Sequence, residues 1–210
     1  MSDHAVLYTH HQAPLAPSML AFTQMRDALS IDAKTDILEH IYSLPPSEQP
    51  AAHEAIRAVE RSAMLLQTPQ PGLQTLFTYL TAPPPSNPHH PPLPLGILTR
   101  NHLPPVTHLL NNHLPTTAFH PILTRDFLPA KPDPAGIIHI AGQWGVDPRD
   151  VIMVGDSMDD MRAGYMAGAA TVLLGNSVNG ELWEHEYTDL VVTRLDELVG
   201  ILEEGFVGRG

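Results

Sequence analysis

A chain of 210 residues, 43% of them apolar and 16% charged, is long enough to bury a core and suits one domain with a small accessory domain, or one larger domain. Its net charge of −12 opposes nonspecific binding to nucleic acid or to an anionic membrane, although a local lysine or a bound metal can reverse the sign inside a cleft. The absence of cysteine excludes disulfides, thiol catalysis and cysteine-based zinc sites; no apolar run is long enough to span a membrane and no signal-peptide pattern opens the chain, so the expected setting is cytoplasmic.

The apolar run at 5–8 reads as a buried first strand, followed by a polar, proline-containing stretch at 10–17. From 19 to about 67 the pattern is helical, with no strand between. Leu20, Phe22, Met25 and Leu29 share one face, and Ile37, Leu38, Ile41 and Tyr42 repeat the theme before Pro45-Pro46. A third helix over 47–66 turns Ile56, Val59, Ala63 and Leu66 inward. This region is expected to form a small all-helical module.

From Pro71 the pattern changes. A helix over 73–80 leads into 82–94, where seven of thirteen residues are proline, a loop or polyproline stretch. Then follow a strand at 95–98, a helix near 105–112, a strand around 119–124, a helix over 134–144, a strand at 151–154, a helix over 158–167, strands at 171–174 and 190–192, and a final helix over 195–203. Short apolar strands alternating with helices predict an α/β fold with a doubly wound parallel sheet covered on both faces. Ligands of such sheets bind at the carboxyl ends of the strands.

Three segments place chemistry there. In Val151-Ile152-Met153-Val154-Gly155-Asp156-Ser157-Met158-Asp159-Asp160, a buried strand delivers Asp156 to its carboxyl end, after a glycine that permits a sharp turn. Asp160 follows four residues on, and two such carboxylates suit a hard cation, directly or through water. The same residues also fit an S-x-x-D capping box, which needs no ligand. Lys131, one of only two lysines, stands in the proline-stiffened Lys131-Pro132-Asp133-Pro134. A fixed ammonium there can neutralise a phosphoryl group; a solvated loop lysine, with Asp133 capping the next helix, is the plainer alternative. The strand at 95–98 ends in Thr99, whose hydroxyl can donate to a phosphoryl oxygen together with the next backbone amide.

In this order and spacing the three segments resemble the later motifs of the haloacid dehalogenase-like (HAD) superfamily. Gln70-Pro71-Gly72, Thr124-Arg125-Asp126-Phe127, Met161-Arg162-Ala163-Gly164 and Ala167-Gly168 resemble its subfamily IA, the phosphoglycolate-phosphatase-like branch. The resemblance runs from about Phe22 to Leu202. It implies a Rossmann-like core, residues 1–17 plus 70–210, with a helical cap inserted at 18–69 and the proline-rich loop 82–94 within the core. It also implies Mg2+-dependent hydrolysis of a small phosphate monoester. In that scheme Asp156 holds the metal, Asp160 supports it through water, Lys131 neutralises the phosphate, and Thr99, with Arg100 and Asn101, binds it.

The family's first motif, D-x-D-G-T, supplies a nucleophilic aspartate and, two residues on, a general acid and base. No such sequence occurs in this chain. Counting back from Phe22 and Met25-Arg26 puts Thr9 at the nucleophile position and His11 at the acid/base position. Threonine lacks the charge that helps to hold Mg2+, and loss of covalent catalysis costs orders of magnitude in rate. Turnover is therefore expected to be strongly impaired and Mg2+ binding weakened or lost. His11 can still transfer protons near neutral pH. His10, His11 and Asp156 can form a transition-metal site, against the plainer reading of a solvated histidine pair, which also applies to His89-His90.

Three readings stay open: a non-catalytic protein that binds a phosphate ligand or a protein, a hydrolase using another nucleophile or a metal-activated water, and an ordinary phosphatase whose genuine N-terminus differs from residues 1–17. The expected partner is a small phosphorylated metabolite, not nucleic acid or membrane. Two P-x-x-P patterns, Pro85-Ser86-Asn87-Pro88 and Pro91-Pro92-Leu93-Pro94, add the option of a protein partner.

Overall fold

A computed structural model describes residues 5–8, 16–65, 68–81 and 93–206. Thr9, His10, His11, Leu66 and all but the last two residues of the proline-rich stretch 82–94 lie outside the described residues. The chain divides into two compact units, Gln12–Thr68 on the one hand and Met1–His11 with Pro69–Gly210 on the other.

The smaller unit holds three helices, α1 (Ala16–Leu29), α2 (Ile37–Ser43) and α3 (Gln49–Leu65). Met25, Ile37, Ile41, Ala52, Ile56 and Ala63 form its core, with Leu29 and Val59 packed against it. Tyr42, expected on the inward face, is instead 66% exposed. It follows the fully buried Ile41 by one residue, and one residue turns a helix by about 100°.

The larger unit is a six-stranded sheet built from β1 (Ala5–Tyr8), β2 (Leu95–Leu98), β3 (Ile122–Leu123), β4 (Val151–Gly155), β5 (Ala170–Leu174) and β6 (Leu190–Val192). The order is β3-β2-β1-β4-β5-β6 and every pairing is parallel. This is the doubly wound order, whose winding reverses between β1 and β4. Five helices, α4 (Leu73–Thr81), α5 (Leu103–His113), α6 (Ala135–Trp144), α7 (Met158–Ala167) and α8 (Glu197–Glu204), accompany it.

β4 explains why its sequence is continuously apolar. All five of its residues are buried. Ile152 and Val154 join Leu73, Leu76, Phe77 and Leu198 of α4 and α8 on one face, while Val151 and Met153 join Ile137, Ile140 and Ala163 of α6 and α7 on the other. Side chains alternate between faces, so a strand covered on both sides needs apolar residues at every position.

The strand expected over 119–124 contracts to Ile122–Leu123. Pro121 has no N–H for the ladder. The preceding segment still follows β2, for Ile97 N–H donates to Pro121 O at 3.1 Å and His120 N–H donates to Leu95 O at 2.8 Å. Phe119 packs edge-on against Phe77 with ring centroids 5.1 Å apart. No helix among the described residues is long and apolar enough to cross a membrane.

Candidate active site

The reversal of winding brings the carboxyl ends of β1 and β4 side by side, with Tyr8 opposite Val154. Asp156 follows β4 directly, and Thr99 follows β2, the other neighbour of β1.

Lys131 comes from the loop between β3 and α6 and is buried among these ends. Its Nζ donates to Leu98 O at 2.9 Å and lies 2.5 Å from Asp160 Oδ1. The two side chains are 1% and 0% exposed. Charges this deep are tolerated because they pair and meet further polar partners. Asp160 Oδ2 accepts from the backbone N–H groups of Asp156 and Ser157, each at 3.2 Å, and from Ser157 Oγ at 2.7 Å. Asp160 N–H donates in return to Ser157 Oγ, which completes a capping box on α7. Cap and ion pair thus use the two oxygens of one carboxylate.

This geometry bears on Lys131, Asp160 and Gly155. Lys131 is not a solvated loop residue, because its ammonium is enclosed. Asp160, expected to support a metal through water, is fully buried, and its oxygens are taken up by Lys131 and the loop that carries Asp156. Gly155, expected to permit a sharp turn, is not among the glycines with positive φ. Its role is steric: a Cβ at this position would stand 2.4 Å from Asp160 Cβ.

Thr99 is buried, and its Oγ1 accepts from Asn101 N–H at 3.0 Å. Asn101 O accepts from Arg125 N–H at 3.0 Å. Arg100, expected at the phosphate, extends instead to Asp159 in the first turn of α7, with Nη1 2.5 Å from Oδ2 and both side chains partly exposed. The structure therefore gathers Thr99, Lys131, Asp156 and Asp160 at one end of the sheet, and engages Arg100 in a separate pair. Thr9 and His11 lie outside the described residues.

Among the described residues no group of three or more His, Asp or Glu side chains forms a metal cage. Mg2+ in general keeps several waters and takes one or two carboxylates plus substrate phosphate. Asp156, half-buried at the end of β4, is the described carboxylate suited to hold it.

Asn179 stands in the loop after β5. It is buried, and its Nδ2 donates to Asp156 O at 2.9 Å and to Leu174 O at 3.0 Å. Nothing in Asn176-Ser177-Val178-Asn179-Gly180 distinguishes it from an ordinary turn.

The family model for haloacid dehalogenase-like hydrolases matches residues 20–168. The chain belongs to this family. An uncharacterized hydrolase of Saccharomyces cerevisiae is 38% identical over 205 residues, covering 95% of this chain and 90% of that protein. A phosphoglycolate phosphatase of Haemophilus influenzae is 44% identical over 62 residues, which span 29% of this chain and 28% of that protein. A hydrolase from Pseudomonas syringae has a similar fold, with a TM-score of 0.74 at 17% identity over 96% of this chain and 98% of that one.

Proposed function

We propose that this HAD-like hydrolase binds a small phosphate monoester at the carboxyl ends of β2 and β4, with Mg2+, and hydrolyses it slowly. The observation that carries the reading is the enclosed Lys131 ammonium, held by Leu98 O and Asp160 beside Thr99 and Asp156. An ammonium kept at such a position supplies fixed positive charge to a phosphoryl group without reorganisation. Asp160 keeps Lys131 in place, and the Thr99 hydroxyl orients a phosphoryl oxygen. Mg2+, when bound at Asp156, neutralises charge on the phosphate.

Impairment follows from the composition of the motif. In the family an aspartate attacks phosphorus, and this chain contains no D-x-D-G-T to supply it. Thr9 and His11 stand at the corresponding positions by count, and a threonine without an activating base is a poor nucleophile. Retained binding without efficient covalent catalysis is the result.

Calorimetric titration with inorganic phosphate in Mg2+ tests the binding half of the reading. Binding by the unmodified chain is expected to weaken by about tenfold in Thr99→Ala, the loss of roughly one hydrogen bond to a charged group, and to weaken in Asp156→Asn. Phosphate binding that neither substitution changes, or no binding at all, contradicts it.

A further inference from the structure

The loop that carries Asp156 is held from two sides. On the α7 side, Asp160 Oδ2 accepts from Asp156 N–H. On the β5 side, Asn179 Nδ2 donates to Asp156 O at 2.9 Å and to Leu174 O at 3.0 Å. Its Oδ1 accepts from Asn176 N–H at 2.8 Å and from Trp183 Nε1 at 3.4 Å. Both protons and both lone-pair directions of the amide are used. The orientation of the amide is decided by its partners, two carbonyls at one end and two N–H groups at the other.

Asparagine is the residue this junction demands. Aspartate has no donor for the two carbonyls, and glutamine is one methylene longer in a buried site. Backbone carbonyls away from water seek partners, and the amide satisfies two of them, just after β4 and at the end of β5.

From this we infer that Asn179 is a positioning residue for the Asp156 carboxylate: with the N–H and the C=O of Asp156 both held, the direction of its Cα–Cβ bond is set, which limits where the carboxylate can reach. The inference rests on the proposed role of Asp156 in holding a divalent cation. Groups that orient a metal ligand typically change metal affinity by about 10- to 100-fold when removed.

The test is Mn2+ binding to the full chain, followed by electron paramagnetic resonance, alongside the melting temperature of each variant. Asn179→Ala is expected to weaken Mn2+ binding by about tenfold or more. Asn179→Ser, which keeps one polar group on a shorter stem, serves if the alanine variant does not fold, with the same expected direction. Val178→Ala, at an exposed position in the same loop, leaves the amide and its partners in place and is expected to leave Mn2+ affinity unchanged. Asp156→Asn reports on the underlying reading. If Asp156→Asn abolishes binding while both Asn179 variants lower only the melting temperature, Asn179 is merely structural and the inference is overturned alone. If the chain binds no Mn2+, or Asp156→Asn leaves binding intact, the metal reading fails and takes the inference with it.

Discussion

Lys131 and Asp160, 29 residues apart in sequence, meet at 2.5 Å in the interior of the sheet's carboxyl end. The pair ties the loop before α6 to the first turn of α7, and the second oxygen of the same carboxylate holds the backbone of Asp156 and Ser157. One buried acid therefore sets the position of the cation and of the next carboxylate together.

Removing one member should be costly. Lys131→Met leaves a buried, uncompensated carboxylate and is expected to destabilise the fold by about 3–5 kcal/mol. Adding Asp160→Asn removes the stranded charge while keeping an oxygen for the loop, so the double variant should lose less than the sum by about 1–3 kcal/mol. Urea unfolding of the two single variants and the double variant measures this coupling, and strict additivity contradicts it.

Gly155→Ala tests the close approach of α7 to β4. The added methyl would stand 2.4 Å from Asp160 Cβ, so the first turn of α7 must move. Overpacking of this kind costs about 1–3 kcal/mol, and here it also disturbs the Lys131 pair. A lower melting temperature and weaker phosphate binding are expected together. Gly142→Ala, inside α6 where a Cβ meets nothing within 4 Å, is the control: phosphate binding should stay unchanged and the melting temperature should hold or rise slightly.

Arg100 and Asp159 form the opposite kind of ion pair, with side chains 56% and 32% exposed. Water and salt screen such a pair, which contributes about 0–1 kcal/mol. Asp159→Asn should change stability by less than about 1 kcal/mol, with the difference shrinking as salt is raised. Unfolding at low and high ionic strength measures this, and a large salt-independent loss contradicts it.

Acid titration should expose the short turn ahead of β4. The side-chain hydrogen bonds from Arg149 hold Asp147 down to about 2 from the ordinary carboxylate value. A carboxylate with a depressed pKa contributes stability above its unfolded value, and that contribution is lost as pH falls through the folded value. Asp147→Asn should therefore be less stable than the unmodified chain above about pH 4, and the two should converge as pH falls toward 2. The pair is fully solvated, so the gap is small; a gap that widens on acidification contradicts the account.

The order of elements was legible because β4 must be apolar on both faces and because the helices carry their own spacing. Asp156, Lys131 and Thr99 were legible as residues because each stands in a short segment at the end of a strand or before a helix. Their contacts were not. The union of Lys131 with Asp160 depends on the depth of a loop that spacing does not encode. Asn179 was invisible because asparagine before glycine reads as a turn whether or not its amide reaches a neighbouring loop. The sequence reads Gly155 as a conformational need, whereas the constraint is the approach of a helix that starts three residues later. Tyr42 reads inward from its apolar neighbours, but the helix turns it out.

Under the proposed function, a phosphate-binding cleft persists without the family's nucleophile. Phosphate release from a panel of small phosphate monoesters in Mg2+ tests it most directly, comparing the chain as it stands with Thr9→Asp/His11→Asp. Slow release by the unmodified chain is expected, with a gain of at least about a hundredfold in the double variant, at the low end of what covalent and acid–base catalysis supply. Equal, rapid release by both, abolished in Asp156→Asn, would contradict it.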